Sequence, residues 1–343
     1  MPGRSRAKIE VARQASKESA TLADPLGRRI DYLRLSLTKA CQMRCAYCRP
    51  GRLGHGDARQ HLTPDEIRNL VAHLVERHGL RKVRLTGGDP TARPELLEII
   101  RAVRSVPGVA ELAMTTNGLS LARQATAYAR AGIDRVNISL DTLDAERFAQ
   151  ITGVNGLERV LAGVRAAIEA GLTPVKLNAV VMRGANLHDL PDLLRYAARL
   201  GVELRLIEMM PMGPLADAWA ERYVPEAEMR ERLQGLCSGW AALPQGADAA
   251  RRYRVELPDG QRATLGFITP MSCNFCSACT RIRVAADGEL YPCLMDKPAG
   301  SLQPALRPRL DPDRLDDLLR QGLGVKQPEH PSRGFVTMTH IGG

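Results

Sequence analysis

Tyr32-Leu33-Arg34-Leu35-Ser36-Leu37-Thr38-Lys39-Ala40-Cys41-Gln42-Met43-Arg44-Cys45-Ala46-Tyr47-Cys48 runs from an apolar, strand-like segment straight into a C-x3-C-x2-C loop. Spacing this short lets three thiolates converge on one inorganic centre without help from distant chain. A 4Fe–4S cube needs four ligands, so Cys41, Cys45 and Cys48 would leave one of its irons open. A disulfide knot is less expected in a chain of 343 residues, read as lacking a signal peptide and too long to need stapling. Zinc is the other alternative, although a structural zinc site usually takes four protein ligands.

Outward from that loop, short β-like runs alternate with helical ones as far as about residue 210. Residues 81–85, 109–115, 136–140, 174–182 and 203–209 read as strands, and 64–77, 94–106, 121–131, 157–170 and 187–200 as helices. Thr63-Pro64-Asp65-Glu66 puts a capping Thr before a Pro at the first helical position and early acids. Gly79, Gly132, Gly171 and Gly201 stand where helices should stop. Six such units predict an α/β fold: a parallel sheet with helices outside, as a partial (β/α)6 TIM-like barrel open on one side, over residues 30–215. Residues 1–29 hold seven basic against three acidic residues without apolar periodicity, and read as a flexible basic arm. Residues 216–343 read as an α+β extension with a polar helix and a Gly/Pro/Ala-rich stretch at 239–250. A hairpin of 252–257 and 262–268 follows around Pro258-Asp259-Gly260, then a cysteine-rich segment, with the last thirty residues Pro-rich and irregular.

Composition narrows the class. The formal charge of +10 implies an acidic ligand or plain solubility. Eight cysteines point to a reducing, cytoplasmic setting, and there to metal rather than disulfides. No run of apolar residues is long enough for a membrane span. With four Phe and two Trp the core must rest on Leu, Val, Ile and Ala, and few aromatics remain for stacking nucleic-acid bases.

Further candidates lie at predicted strand ends. Gly87-Gly88-Asp89-Pro90 follows a strand directly; two glycines let backbone approach a ligand closely, and a sharp capped turn explains the same residues. Thr115 and Ser139 also end strands, where small hydroxyls are often helix caps. Cys276 and Cys279, with Cys293 fourteen residues on, make a second triplet. Cys273 could supply a fourth ligand, which leaves a tetrahedral zinc ribbon open. Arg281 and Arg283 lie at i and i+2, on one face of a strand beside these cysteines, and arginine suits bidentate phosphate contacts. The chain closes on Ile341-Gly342-Gly343.

The first triplet, with aromatic Tyr47 before its last cysteine, resembles the signature of the radical S-adenosylmethionine (SAM) enzymes. That resemblance implies an incomplete (β/α)6 barrel with a 4Fe–4S cluster at its mouth, whose open iron chelates SAM and whose electron splits it to a 5′-deoxyadenosyl radical. It implies that Tyr47, Gly88, Ser139 and Met210 contact SAM and Thr115 the substrate; Asp89 stands where the family has Glu. From about Asp31 to Gly343 the chain resembles the GTP 3′,8-cyclases that open molybdenum cofactor biosynthesis, the MoaA family. Their pattern is a C-terminal C-x2-C with R-x-R, a later cysteine and a Gly-Gly end; Thr280 replaces a usual Asn and Cys273 is extra. The resemblance implies two 4Fe–4S clusters, the second on Cys276, Cys279 and Cys293, with its free iron taking the guanine of GTP. It implies substrate contacts from Arg34, Lys82, Arg84, Lys176, Arg205, Arg281 and Arg283, with Arg34, Arg281, Arg283, Gly342 and Gly343 assisting the chemistry. An external one-electron reductant and product transfer to the next molybdopterin enzyme follow as partners, with no membrane or nucleic acid, and a homodimer is allowed. The alternatives are a radical SAM peptide or sulfatase maturase, and a zinc-containing nucleic-acid-binding protein.

Overall fold

The structure is a computed structural model that describes residues 21–48, 60–246, 248–334 and 338–342. The six expected strands form at β1 (Tyr32–Ser36), β2 (Lys82–Thr86), β3 (Glu111–Thr116), β4 (Arg135–Ser139), β5 (Lys176–Val181) and β6 (Glu203–Glu208). Each pairs in parallel with the next. The helices between them are α1 (Pro64–His78), α2 (Leu96–Arg104), α3 (Leu121–Ala131), α4 (Ala145–Thr152), α5 (Leu157–Glu169) and α6 (Leu190–Leu200). Sequence reading lacked α4. Thr63 and Glu66 form the reciprocal cap of α1, and all four helix-ending glycines have positive φ.

The C-terminal region continues through α7 (Trp219–Arg222) and α8 (Glu226–Gln234), then β7 (Gly239–Ala242), β8 (Ala250–Glu256), β9 (Arg262–Ile268), β10 (Arg281–Val284) and β11 (Leu290–Tyr291). The expected hairpin is β8–β9, and β7 adds to its outer edge where only a Gly/Pro/Ala-rich stretch was read. Short α9 (Gln303–Leu306), then α10 (Pro312–Gly324) and α11 (Met338–Ile341) complete the chain. The last thirty residues are therefore not wholly irregular: α10 has Asp311 as side-chain cap, a Pro at its start and buried Leu315, Leu319 and Leu323.

All eleven strands join one sheet, ordered β11-β10-β1-β2-β3-β4-β5-β6-β9-β8-β7. β9 pairs in parallel with β6 and β10 in parallel with β1, so the C-terminal region extends both edges of the six-stranded core. Within the 1–29 arm, residues 1–20 lie outside the described residues. Residues 21–29 are packed rather than flexible: Leu22 is buried and Ala23 bridges to Arg29.

Each barrel strand alternates. In β1, Leu33 and Leu35 are buried in the apolar core, whereas Tyr32 and Arg34 line an internal cavity. The same alternation in Lys82-Val83-Arg84-Leu85 and Arg281-Ile282-Arg283-Val284 makes the inner face polar and basic. A barrel interior is ordinarily filled by branched apolar side chains. Here it is a site.

Candidate active site

The loop after β1 is held from three sides. Arg44 N donates to Thr152 O at 2.8 Å and Ala46 N to Ile151 O at 2.9 Å, so the end of α4 pins the middle of the first triplet. Tyr47 Oη donates to Asp141 Oδ2 at 2.9 Å, and Asp141 Oδ1 accepts from Val180 N at 2.8 Å. Burial pushes the Asp141 carboxyl up to about 6, against these bonds. On the third side, Gly88 N donates to Thr38 O at 2.7 Å and Asp89 N to Ala40 O at 2.8 Å. A Cβ at Gly88 would collide with the Ala40 carbonyl, so the first reason for glycine here is the close approach of two backbones. Asp89 is buried and accepts from Thr91 N, Thr116 Oγ1 and Asn117 N, tying the end of β2 to that of β3. Asn117 Nδ2 in turn donates to Gln42 Oε1 at 2.8 Å and Cys41 Sγ at 3.6 Å.

The second triplet lies across the same opening. Cys276 begins a short 3-10 turn, Cys279 ends it, and Cys293 returns after the β10–β11 hairpin. Burial would raise the Cys279 thiol, yet the charges of Arg281 and Lys326 bring it to about 7. Cys273 stands apart: it is exposed, lies outside the cavity lining, and its Sγ accepts from Arg251 Nη1.

Both triplets line one cavity of about 630 Å³. Tyr47, Gly88, Ser139 and Met210 line it, as do Arg34, Lys82, Arg84, Thr115, Lys176, Arg205, Arg281 and Arg283. Strand register explains how residues so distant in sequence meet. Arg283 is opposite Arg34, and Arg34 opposite Arg84; Ala113 and then Arg135 continue the row. Gly342 O accepts from Arg283 Nη1 at 2.6 Å, and a Cβ on Gly342, at φ 72°, would strike the Thr86 side chain. Gly343 lies outside the described residues.

Sequence reasoning missed Tyr32, Arg135, Asn178, Asp248 and Arg252, all lining the cavity. The Arg34 and Arg84 guanidinium carbons each sit 5.7 Å from the Tyr32 ring centre. The polar positions of the strand alternation were the available signal for Tyr32, Arg135 and Asn178.

The electrostatics call for an anion. Burial, then the neighbouring Arg34 and Arg135 charges, lower the Arg84 guanidinium to about 9 despite Tyr32. Burial and the Arg205 charge lower Lys176 to about 8, against the pull of Glu203. Burial, then Arg34 and Arg281, hold Arg283 well below its usual range. Arg34 Nε, Arg84 Nε and Arg205 Nη2 are buried without a hydrogen-bond partner. Glu203 pairs with Arg205 Nε at 2.5 Å and with Lys176 Nζ at 3.7 Å, but these three buried guanidinium nitrogens lack acceptors. That lack costs stability, and an anion in the cavity would supply them.

The donor sets also discriminate between inorganic centres. Zinc–thiolate bonds of about 2.3 Å place tetrahedral sulfurs roughly 3.8 Å apart. Among the described residues, only His73, His78 and Asp316 bring three metal-binding atoms within 4.8 Å of one another. Neither cysteine triplet is that tight.

Two family models match the chain in succession: the radical SAM superfamily over residues 35–197 and Molybdenum Cofactor Synthesis C over 202–332. The chain is 40% identical over 313 residues to a GTP 3′,8-cyclase of Rhodopseudomonas palustris (strain TIE-1), covering 90% of this chain and 89% of that one. It is 38% identical over 332 residues to one from Pelotomaculum thermopropionicum, covering 94% and 100%. Among solved structures, Streptococcus suis SuiB is similar in fold alone, with TM-score 0.54, 15% identity and coverage of 93% of this chain and 71% of that one. For SuiB with its precursor peptide SuiA the TM-score is 0.56 at 12% identity, and this chain spans 63% of that one.

Proposed function

Because the chain belongs to the GTP 3′,8-cyclase family of radical SAM enzymes, we propose that it converts GTP to (8S)-3′,8-cyclo-7,8-dihydroguanosine 5′-triphosphate, the first step of molybdenum cofactor biosynthesis. The observation that carries this reading is the single cavity onto which both cysteine triplets open, with a row of buried cations between them. When bound, the first cluster with SAM supplies one-electron hydrogen-atom chemistry, and the second supplies an open iron for the guanine.

This chain's own residues bind and align. Cys41, Cys45 and Cys48 would hold the first cluster, and Cys276, Cys279 and Cys293 the second. Tyr47, Gly88, Ser139 and Met210 would seat SAM against the end of the barrel, and Thr115 would touch the substrate. A triphosphate carries about four negative charges, which Arg34, Lys82, Arg84, Lys176, Arg205, Arg281 and Arg283 would offset with charge-assisted bonds. Supplying such partners relieves the unpaired guanidinium atoms, so substrate binding and relief of stored repulsion coincide. Arg34, Arg281 and Arg283 would also hold the nucleotide so that ribose and purine meet in one geometry. Gly342 already abuts Arg283, and the Gly342-Gly343 end would assist the chemistry. Electrons come from an external reductant, and the product is a free nucleotide for the next enzyme of the sequence.

The test is anaerobic reconstitution followed by incubation with GTP, SAM and reductant. The expected outcome is a nucleotide isomeric with GTP but cyclised, identified by mass spectrometry, together with 5′-deoxyadenosine. Release of 5′-deoxyadenosine with GTP returned unaltered would reject the cyclase reading while leaving radical SAM chemistry standing.

A further inference from the structure

The three cysteines of the second triplet come from two segments, and the link between them within the sheet is slight. β10 and β11 share two residue pairs, Arg283 with Tyr291 and Val284 with Leu290. Beyond that hairpin, Cys293 must be held opposite Cys276 and Cys279 by something else. Two cations outside the cavity lining do so. Lys326, buried at 6% exposure, directs Nζ to Cys279 Sγ at 3.7 Å, Arg281 O at 3.2 Å and Pro292 O at 2.5 Å. The Pro292 carbonyl belongs to the peptide that leads into Cys293. One ammonium therefore joins both sides of the triplet.

Arg28 acts on Cys276 and on the segment that follows Lys326 together. Its Nη1 donates to Cys276 O at 2.8 Å and Pro328 O at 3.2 Å, and its Nη2 to Gln327 O at 2.7 Å. The segment carrying Lys326 is thus fastened to the turn carrying Cys276. Asp24 fixes the guanidinium through Nε, and its own Oδ1 accepts from Leu26 N and Arg28 N at 3.0 Å. The Asp24 side chain is wholly buried. A cation resting on several main-chain carbonyls orients peptides without competing with a cluster for the thiolates.

We propose that Arg28 and Lys326 are positioning residues of the second triplet, clamping the peptides at Cys276, Arg281 and Cys293 so that three sulfurs face one cluster. This rests on the reading that the triplet holds a cluster. Outer partners that orient metal ligands typically change metal affinity by about 10- to 100-fold when removed.

Full-length wild type, Lys326→Met, Arg28→Gln and Lys326→Arg would be reconstituted anaerobically with iron and sulfide. Iron per chain, the electron paramagnetic resonance spectrum of the reduced protein and far-ultraviolet circular dichroism would then be read on each. Wild type is expected to hold about eight irons. Lys326→Met and Arg28→Gln should hold about half of that, with the SAM-responsive signal of the first cluster and the dichroism unchanged. Lys326→Arg keeps a cation in reach of the carbonyls and should keep its iron. Full iron in both Lys326→Met and Arg28→Gln would overturn the proposal with the two-cluster reading intact. About four irons in wild type would instead remove that reading and the proposal with it. Loss of all iron together with the dichroism would also count against the proposal, because the contacts would then serve the fold alone.

Discussion

On the proposed reading, Arg84 trades stability for binding. Its Nε has no partner, and its Nη1 reaches only Thr115 Oγ1, at 3.5 Å. Replacing a buried, poorly paired charge with an apolar side chain of similar volume is often neutral or stabilising by about 1–4 kcal/mol. Arg84→Met is therefore expected to raise the unfolding midpoint of the nucleotide-free protein. The same change would remove the proposed charge-assisted contact with the triphosphate, worth roughly 1.5–3 kcal/mol, so GTP binding should weaken about 10- to 150-fold. Denaturant melts and calorimetric titration with GTP would check both; a variant that is less stable and binds equally well contradicts the account. At this scale much of the site was legible. Arg34, Arg84 and Arg281 stand at polar positions of strands whose other face is apolar, and the cysteine spacings announce themselves. Lys326 and Arg28 were not legible. Each lies in an irregular segment without periodicity, and Arg28 meets its partners some 250 to 300 residues away.

Elements act by where they hold one another. α4 was missed because eight residues give two turns, too few for a periodic pattern to emerge, yet its end fixes the first triplet. β7 is four residues and mostly exposed, so it carried no apolar signal. A longer-range tie joins α1 to α10. His73 Nε2 and His78 Nε2 both bond Asp316 Oδ1, at 2.6 and 2.8 Å, while Arg77 Nη1 donates to Oδ2 at 2.6 Å. Burial raises the Asp316 carboxyl, but Arg77 and the two histidines overcome it and bring it to about 2 from an ordinary 3.8. The unfolded chain binds that proton more readily, so the stabilisation is full above pH 3.8 and fades as pH falls towards 2, with a size on the order of 2 kcal/mol. Burial also keeps His73 below its usual range, which again makes acid destabilising. Asp316→Ala should cost about 2–4 kcal/mol near neutrality. Urea unfolding of wild type and variant at several pH values should show the difference shrinking below pH 3.8; a constant gap would sever it from this carboxylate.

For the whole molecule, six strand–helix units were legible because parallel strands and amphipathic helices each carry their own period. The two strands that flank them were not. β9 could be read as half of a hairpin and β10 as a strand beside cysteines, but parallel pairing with β6 and β1 depends on contacts across the whole chain. The sequence change near residue 215 is consequently no boundary of the sheet. A chain ended after residue 215 would leave β1 and β6 as bare edges, where unpaired backbone groups template association. It is expected to be insoluble or to sediment as aggregates, whereas a soluble monomer with native far-ultraviolet dichroism would refute this.

Arg34 and Arg283, neighbours in the finished sheet, are separated by 249 positions in the chain. Contacts between such distant residues form late and slowly. On a ribosome adding about 5–20 residues per second, β1 would wait on the order of ten seconds or more for its outer partner to be made. Assembly of the cavity thus awaits synthesis of β10, and its basic row stays incomplete until Arg281 and Arg283 have been added.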